Sequence, residues 1–348
     1  MPDLEAVSEP SDRREIFVSR IGGTPTQPAH ATDAFLEAVF RFCARIASAG
    51  AGPTHAVLAF VQSERGIDVD PVYDQHSDAF APCGRLDRDT GPVPDVGPIV
   101  FATRNLRTAY ATGCDGTDVP CIVSRIKELG LGSRPTALYL WEQRMLVFHR
   151  HGVEGETSLK ADTAALSSLD PSDLDRLLDY FHDNWTRYPT GFGACWDNAI
   201  NRVVERNAER NIRNHLFIFL NMVVFRSKYV IREFDRPNGR IDIFIFGVAM
   251  GEEDRDRVIE LKVLRSRSSG WTPEGGRKRT YSEKGNRRYV ERGIRQARRY
   301  IDSTSAVEAF LLCYDARLED VHIVLEPYAD SLAVTYRRYF MESSAKEA

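Results

Sequence analysis

Two apolar segments of this 348-residue chain contain charged residues of a kind that could carry out catalysis. Asp242 lies near the start of RIDIFIFGVA, and Glu260 and Lys262 lie within RVIELKVL. Both segments have the length and composition of buried strands. Because burying an unpaired charge costs several kcal/mol, these residues should be paired, bind a metal ion or lie at the rim of a sheet.

The spacing of these residues places them on one face of a predicted β-hairpin. Alternate residues of a strand face the same side, so Glu260 and Lys262 project together, away from the apolar side chains that alternate with them. If the turn centres on Gly251, in the polar segment MGEED, Asp242 lies opposite Glu260. Their Cβ atoms would then be about 5 Å apart. A longer turn would shift this register.

Facing carboxylates of this kind favour a metal ion. Two carboxylates repel each other, whereas a divalent cation between them reverses the local electrostatics. Mg²⁺ prefers oxygen ligands and retains water molecules, which leaves positions for a phosphate oxygen and an attacking water, and we expect Mn²⁺ to substitute. Lys262 could orient or deprotonate that water, or neutralise charge developing on phosphorus. The three residue types therefore indicate metal-assisted phosphodiester hydrolysis.

Asp242 followed by Glu260-Leu261-Lys262 across a hairpin resembles the motif of the PD-(D/E)XK nuclease superfamily, which includes restriction and recombination nucleases. The proline of the family name is absent, and Ile241 precedes the aspartate. The resemblance covers about residues 170 to 340. It implies a restriction-endonuclease-like fold, a mixed β-sheet flanked by helices, in which Asp242 and Glu260 bind Mg²⁺ and the substrate is DNA.

Two helical features extend the resemblance. Members of the superfamily often carry an acid on the helix before the sheet, and Glu209 is our choice because apolar residues follow it at helical spacing; Glu205, one turn earlier, is the rival. Many RecB-like members carry Gln-x-x-x-Tyr on the helix after the catalytic strands, and Gln296 and Tyr300 match this. The resemblance implies that Glu209 is a third metal ligand and that the Gln-Tyr pair supports Lys262 or contacts DNA.

A strongly basic segment follows the second predicted strand. Residues 265–299 contain twelve Lys or Arg and three Glu, in a chain whose net charge is only −4, and Trp271, Tyr281 and Tyr289 are interspersed. Clustered Arg and Lys bind phosphates and aromatic rings can stack on bases, although a charge run alone is more often a solvated face. Beside the nuclease motif, we predict nucleic-acid contacts from Arg265, Arg267, Arg277, Lys278, Arg279, Lys284, Arg287 and Arg288.

Periodicity and capping predict the elements that position these residues. In the C-terminal half we expect helices over 172–188, 196–224 and around 290–303, and strands over 229–234, 240–249, 257–264, 309–317 and 332–340. In the N-terminal half we expect a helix over 32–48, a strand over 55–62, loops between about 63 and 98, and a hairpin over 136–152.

The length of the chain exceeds one typical core, and the polar stretch before Pro171 is the best boundary. We therefore predict an α/β protein of two domains. Residues 1–165 form a mixed α/β domain of unknown type, and residues 166–348 form the nuclease-like domain. The first domain could recognise DNA, a signal or a protein partner, or form a homodimer, which would fit a role in defence or restriction.

Composition indicates the cellular compartment and the state of the cysteines. Hydrophobic residues make up 43% and charged residues 28%, and there is neither a membrane-length apolar run nor a secretory signal, so we expect a cytoplasmic protein without membrane association. Six scattered cysteines without a Cys-x-x-Cys pair predict reduced thiols. His149 and His151 share one strand face, where solvent exposure is a commoner role than metal binding.

Three functions follow from these patterns. The first is a Mg²⁺-dependent deoxyribonuclease, with endonuclease and exonuclease both open. The second is a catalytically inactive nucleic-acid-binding subunit of a larger complex. The third is an interaction scaffold in which the N-terminal half performs the function.

Overall fold

The computed structural model describes residues 31–48, 55–64, 66–67, 70–87, 96–155, 159–170, 172–189, 195–224, 230–236, 239–247, 255–272 and 280–344. These residues form mixed β-sheets with helices packed against them, so the predicted α/β class is confirmed. None of the helices within these ranges combines the length and apolar character that a membrane crossing needs.

The N-terminal half contains one seven-stranded sheet, in the order β2-β4-β3-β1-β5-β6-β7, in which the β1–β3 pair is parallel and the other pairs are antiparallel. Its strands are β1 (Val57–Gln62), β2 (Ala81–Gly84), β3 (Ile99–Ala102), β4 (Ala109–Thr112), β5 (Thr136–Leu140), β6 (Met145–His149) and β7 (Leu159–Asp162). Its helices are α1 (Ala31–Ser48), α2 (Pro71–His76, followed by a 3₁₀ turn over Ser77–Ala79), α3 (Val119–Glu128) and α4 (Thr163–Ser167).

The first sheet confirms the predicted β5–β6 hairpin and corrects the predicted loops between 63 and 98. That region contains α2 and β2. Helix α2 begins because Asp70 accepts a hydrogen bond from the Val72 N–H at 3.1 Å, with Pro71 in the first turn. Both elements are too short to produce a periodic signal, which is why the sequence pattern missed them.

The C-terminal half contains a five-stranded sheet in the order β10-β11-β12-β13-β14, antiparallel as far as β12 and parallel from there on. Its strands are β10 (Val230–Arg236), β11 (Gly239–Ile245), β12 (Arg257–Leu264), β13 (Glu308–Asp315) and β14 (Val334–Phe340), and a separate hairpin consists of β8 (Trp196–Asn198) and β9 (Val203–Val204). Its helices are α5 (Leu174–Phe181, continued by a π-helical turn over His182–Thr186), α6 (Ala208–Val224), α7 (Glu283–Ser303) and α8 (Glu326–Asp330).

The predicted helix over 196–224 is wrong in its first half, because α6 begins only at Ala208. A tight turn interrupts the helical pattern: the Asn198 side chain accepts the Asn201 N–H at 3.0 Å, and Arg202 has a φ of 51°. This left-handed conformation reverses the chain into the β8–β9 hairpin. The tertiary structure therefore overrides a local periodicity that continues into the true helix.

Strand β12 lies at the centre of the second sheet, and all eight of its residues are buried. Ile259, Leu261 and Val263 belong to the same buried cluster as the apolar side of α6, whereas Val258 and Leu264 pack with α7. The alternation predicted for this strand is therefore confirmed. Helices α6 and α7 cover the two faces, and the faces meet different parts of the core.

The largest buried cluster extends through both halves of the chain. It includes Phe35 of α1, Phe60 of β1, Phe219 of α6 and Leu312 of β13. The predicted boundary between residues 165 and 166 lies within α4, and the division into two domains stays a prediction.

Candidate active site

Strands β11 and β12 pair in the register that was predicted for the hairpin. Ile243 pairs with Ile259, and the next pairs follow in the same register up to Ile245 with Arg257. The paired stretch ends at Ile243, and one residue further on Asp242 and Glu260 are both buried, with 6% and 2% of their surfaces exposed. The register therefore brings the two carboxylate-bearing positions to the same end of the paired stretch.

Asp242 is held in place by one backbone group and one charged side chain. Its Oδ2 accepts the backbone N–H of Leu261 at 2.9 Å, where the ladder between the strands has ended. Its Oδ1 accepts a hydrogen bond from the guanidinium of Arg213, also at 2.9 Å, and Arg213 is itself buried. The sequence did not single out Arg213, although its position one turn after Glu209 on α6 places both on one helical face.

Glu260 is the carboxylate with an incomplete set of partners. Its Oε1 accepts a hydrogen bond from Lys262 Nζ, whereas its Oε2 is buried and has no hydrogen-bond partner among the residues that the structure describes. Burial and the nearby charge of Asp242 raise the pKa of Glu260 from 4.5 to about 8, against the opposing effect of Lys262. The positive charge of Lys262 therefore does not fully offset the burial of Glu260 and the repulsion from Asp242.

Lys262 connects the strand to the two helices that cover it. Besides Glu260, its Nζ donates to the Leu261 carbonyl at 2.9 Å and lies 4.0 Å from a carboxylate oxygen of Glu209 and 5.4 Å from the ring centre of Tyr289. Burial by itself would lower the pKa of Lys262, but the carboxylates of Glu260 and Glu209 raise it. The side chain is therefore an ammonium group at neutral pH.

Glu209 lies at the edge of this group, in the first turn of α6, and is half-buried. Its Oε2 accepts a hydrogen bond from the hydroxyl of Tyr289 at 2.8 Å. The rival acid, Glu205, precedes the helix and accepts a hydrogen bond from Asn211 at 2.8 Å. The distance to Lys262 places Glu209 beside the candidate site, and its service as a metal ligand stays a prediction.

Helix α7 presents Tyr289, Gly293, Gln296 and Tyr300 along one side, at spacings of four, three and four residues. Gly293 allows a close approach: a Cβ atom there would lie 3.1 Å from Cγ of Lys262 and 2.9 Å from a methyl group of Leu311. The sequence pattern by itself predicts that Tyr289 stacks on a base. Its seven-residue spacing from Gln296 is the signal that relates it to the site.

Gln296 and Tyr300 form a short chain of hydrogen bonds that ends on β11. Gln296 Nε2 donates to the Tyr300 hydroxyl at 2.6 Å, and that hydroxyl donates to the carbonyl of Arg240 at 2.6 Å. Burial and the charge of Glu260 raise the pKa of Tyr300 to about 12, so the hydroxyl keeps its proton. The pair thus fixes the strand two residues before Asp242, and its hydrogen bonds go to β11 instead of to Lys262.

The donor set fits a hard cation in part. Asp242 and Glu260 lie close enough to interact electrostatically, and the unpartnered Glu260 Oε2 is a vacant acceptor. Within the described ranges, however, no group of three or more His, Cys, Asp or Glu side chains is arranged to hold a metal ion. Two carboxylates therefore fit the predicted Mg²⁺, and a third ligand stays a prediction.

The predicted nucleic-acid residues fall into three groups. Lys284, Arg287 and Arg288 are exposed in the first turns of α7. Arg267 is tied into the protein instead: it donates to the Asn201 carbonyl at 2.6 Å and stacks on Trp271 at 3.7 Å. The remaining residues are Arg265, which lies 6.0 Å from the Tyr281 ring centre, and Arg277, Lys278 and Arg279, which lie outside the described residues.

The fold and the site thus define a mixed α/β protein with a buried carboxylate-lysine cluster at the centre of its C-terminal sheet. No protein-family model, curated protein or solved structure matches the chain.

Proposed function

We propose that the C-terminal sheet carries the active centre of a metal-dependent nuclease that hydrolyses phosphodiester bonds of DNA, as in the PD-(D/E)XK superfamily that the motif resembles. The observation that carries the proposal is the buried group Asp242, Glu260 and Lys262, in which one oxygen of Glu260 has no hydrogen-bond partner within the described part of the chain. A buried, unsatisfied carboxylate oxygen costs stability. Such a cost is typical of functional sites, where a ligand completes the set.

In this proposal the two carboxylates hold the metal ion. Asp242 is oriented by the Leu261 N–H and by Arg213, and Glu260 offers its vacant oxygen. When bound, Mg²⁺ or Mn²⁺ would polarise a phosphate oxygen and lower the pKa of a bound water. Glu209, 4.0 Å from Lys262 Nζ, is a further acid beside these two carboxylates.

Lys262 acts in this scheme as a cation. Two carboxylates keep its amine protonated, so it is poorly suited to remove a proton from water at neutral pH. Its Nζ already lies beside Glu260, where the scissile phosphate would be bound. An ammonium group there would neutralise the negative charge that develops on the phosphoryl oxygens in the transition state.

Helix α7 positions the reacting strand. Tyr300 holds the Arg240 carbonyl, and Gln296 orients the Tyr300 hydroxyl, so the start of β11 is fixed relative to the helix. Gly293 lets the same helix approach Lys262. These three residues therefore keep Asp242 and Lys262 at a constant separation, as catalysis by fixed charges requires.

DNA is proposed as the substrate from the resemblance together with the basic segment that follows β12. Recognition of DNA, of a signal or of a protein partner by the N-terminal half, and a role in defence or restriction, belong to the same proposal and rest on the resemblance alone.

A second candidate function is supported by Arg213. This buried guanidinium already neutralises Asp242, so the site could be stable as a protein-only ion-pair network. The chain would then be a nonhydrolytic nucleic-acid-binding subunit. In that case the chain would share the fold of the PD-(D/E)XK superfamily but not its catalytic activity.

The two functions are distinguished by incubating the purified full-length chain with linear duplex, circular duplex, single-stranded DNA and RNA, in Mg²⁺, in Mn²⁺ and in chelator. The nuclease proposal expects metal-dependent cleavage that Asp242→Asn abolishes. The matched control is the surface variant Asp183→Asn, since Asp183 is exposed and pairs with Arg187 at 3.1 Å. Cleavage of the circle would identify an endonuclease. Binding of DNA without cleavage in either metal would contradict the proposal and favour the second candidate.

A further inference from the structure

The exposed side of α7 carries two kinds of arginine. Arg287 and Arg298 form ion pairs along the helix, with Glu291 at 3.3 Å and with Asp302 at 2.8 Å. A second set is exposed and forms no ion pair with any carboxylate of the described residues; it consists of Arg288, Arg292, Arg295 and Arg299. We call this second set the arginine row.

The arginine row lies along one side of the helix. Successive members are four, three and four residues apart, which places them on a single stripe opposite the buried side of α7. At a rise of 1.5 Å per residue, the row is about 16 Å long. That length corresponds to about five nucleotides along one strand of a DNA duplex.

The row borders a surface cavity and leads to the candidate active site. The cavity has a volume of about 450 Å³ and is lined by Arg292, Arg295, Gln296, Arg298, Arg299 and Leu332. Gln296 is hydrogen-bonded to Tyr300, and the Arg292 guanidinium lies 5.7 Å from the ring centre of Tyr289, whose hydroxyl contacts Glu209. Tyr289 therefore connects Arg292, which lines the cavity, to Glu209 beside the candidate site.

Two of these guanidinium groups are held in place by aromatic residues. Arg295 donates to the Tyr328 hydroxyl at 3.0 Å, and Arg292 lies over Tyr289. Both contacts orient the cation without neutralising it, because neither partner carries a negative charge. Like charges that converge within about 16 Å repel one another, and a polyanion would relieve this repulsion.

We propose that the arginine row binds the phosphodiester backbone of a nucleic-acid strand and guides it to the candidate active site. The direction of the strand toward the site rests on the proposed function, whereas the binding itself does not. Arginine suits this task because its planar guanidinium donates two parallel hydrogen bonds to phosphate oxygens. Of the row, only Arg288 was among the residues predicted from the sequence to contact nucleic acid.

The test compares two triple variants that lose the same charge. Arg292→Gln, Arg295→Gln and Arg299→Gln remove three members of the row. Arg125→Gln, Arg187→Gln and Arg337→Gln remove three partly exposed arginines that pair with Glu128, Asp183 and Asp175. Binding of fluorescent 20-nucleotide duplex and single-stranded DNA is measured by anisotropy in chelator, as a function of salt.

For duplex DNA, loss of three phosphate contacts should make the slope of log affinity against log salt shallower by about 2.7 in the row variant, while the control keeps the wild-type slope. Replacement of the same three residues by lysine should retain most of the slope, which separates lost charge from lost folding. Equal weakening in the row and control variants would overturn the assignment. So would equally effective competition by a polyglutamate peptide, because the row would then be a general surface for acidic proteins.

Binding in chelator also separates this inference from the proposed nuclease activity. If the wild type binds DNA through the row and never cleaves it, the nuclease proposal fails and the row stands. If metal-dependent cleavage occurs and the row variant retains the wild-type salt slope, the arginine row does not bind the phosphodiester backbone. The nuclease proposal would then stand without it.

Discussion

Strands β1 and β12 occupy equivalent places in the two sheets, yet they differ in where their polar residues lie. Both are internal strands and both are buried along their entire length. In β1 the polar residue, Gln62, is at the end of the strand, whereas β12 buries Glu260 and Lys262 in its interior. A neutral amide at the end of a strand costs little free energy to bury. The two charges inside β12 need hydrogen-bonding or charged partners from other elements.

The polar groups beside β1 are satisfied differently from those of β12. Asp70 is almost fully buried, but its two oxygens accept hydrogen bonds from Ser63 at 3.0 Å and Val72 at 3.1 Å, with Arg134 nearby at 3.4 Å. The unpartnered buried oxygen of β1 belongs to the Gln62 amide, which is neutral, whereas that of β12 belongs to Glu260. Burial of a carboxylate therefore does not by itself mark a functional site, and the oxygen without a hydrogen-bond partner among the described residues is what distinguishes Glu260 from Asp70.

The largest difference between the two sheets should appear when their buried carboxylates are substituted and DNA cleavage is measured. Glu260→Gln and Asp242→Asn should each lower cleavage by more than about 100-fold, because they remove charge from the proposed metal-binding pair at nearly constant shape. Asp70→Asn, the matched change in the first sheet, should leave cleavage within about threefold of wild type. Single-turnover cleavage in Mg²⁺ measures all three. Full metal-dependent activity in Glu260→Gln and Asp242→Asn would contradict a catalytic role for the buried carboxylates of the second sheet.

Lys262→Met should lower the cleavage rate by about 100-fold and change DNA affinity by less than about threefold. One buried charge contributes little to binding compared with the exposed arginines, but it lies where the phosphorus would react. Fluorescence anisotropy measures affinity in chelator, and single-turnover assays measure the rate. Lys160→Met, which removes an exposed lysine charge from β7 in the first sheet, is the control. A loss of affinity without a loss of rate would assign Lys262 to the binding surface.

The free energy of unfolding should depend more strongly on Asp70 than on Glu260, which is the reverse of their predicted effects on cleavage. Asp70→Ala should lower the free energy of unfolding by about 2–4 kcal/mol, because it removes the cap of α2 and the partner of Arg134. Glu260→Gln should leave it unchanged or raise it, because a buried carboxyl group whose ionised form is destabilised by the fold is replaced by a neutral amide. Urea unfolding in chelator compares the two variants. A marked loss of stability in Glu260→Gln would mean that this carboxylate is a structural group.

The remaining predicted effect is a pH dependence of stability that belongs to Glu260. The folded state raises its pKa from 4.5 to about 8, so between these values the folded protein binds a proton that the unfolded chain has released. Stability should therefore fall as pH rises through this window, by at most about 1.4 kcal/mol per pH unit. Urea unfolding from pH 5 to 8 should show this slope in wild type and its loss in Glu260→Gln. Identical slopes in both proteins would refute the assigned pKa.

Several features of the candidate site could be predicted from the sequence because they depend on local geometry. Alternation along a strand assigns Glu260 and Lys262 to one face, and the length of the connection containing Gly251 gives the register in which Ile243 meets Ile259. The four-residue spacing of Gln296 and Tyr300 places them on one side of a helix. Each of these inferences uses a repeat that holds within one element or one hairpin.

Other features were decided only by the tertiary structure. Arg213 and Asp242 are on a helix and a strand whose packing brings them within 2.9 Å, and no local repeat relates the two positions. The contact between Tyr289 and Glu209 likewise joins helices on opposite faces of the sheet. The strand pair β8–β9 replaced a predicted helix because a left-handed turn at Arg202 stopped a periodic pattern. The sequence by itself therefore determined which residues share a face, whereas the packing of α6 and α7 on the sheet determined which charges meet, because that packing depends on contacts summed over the whole core.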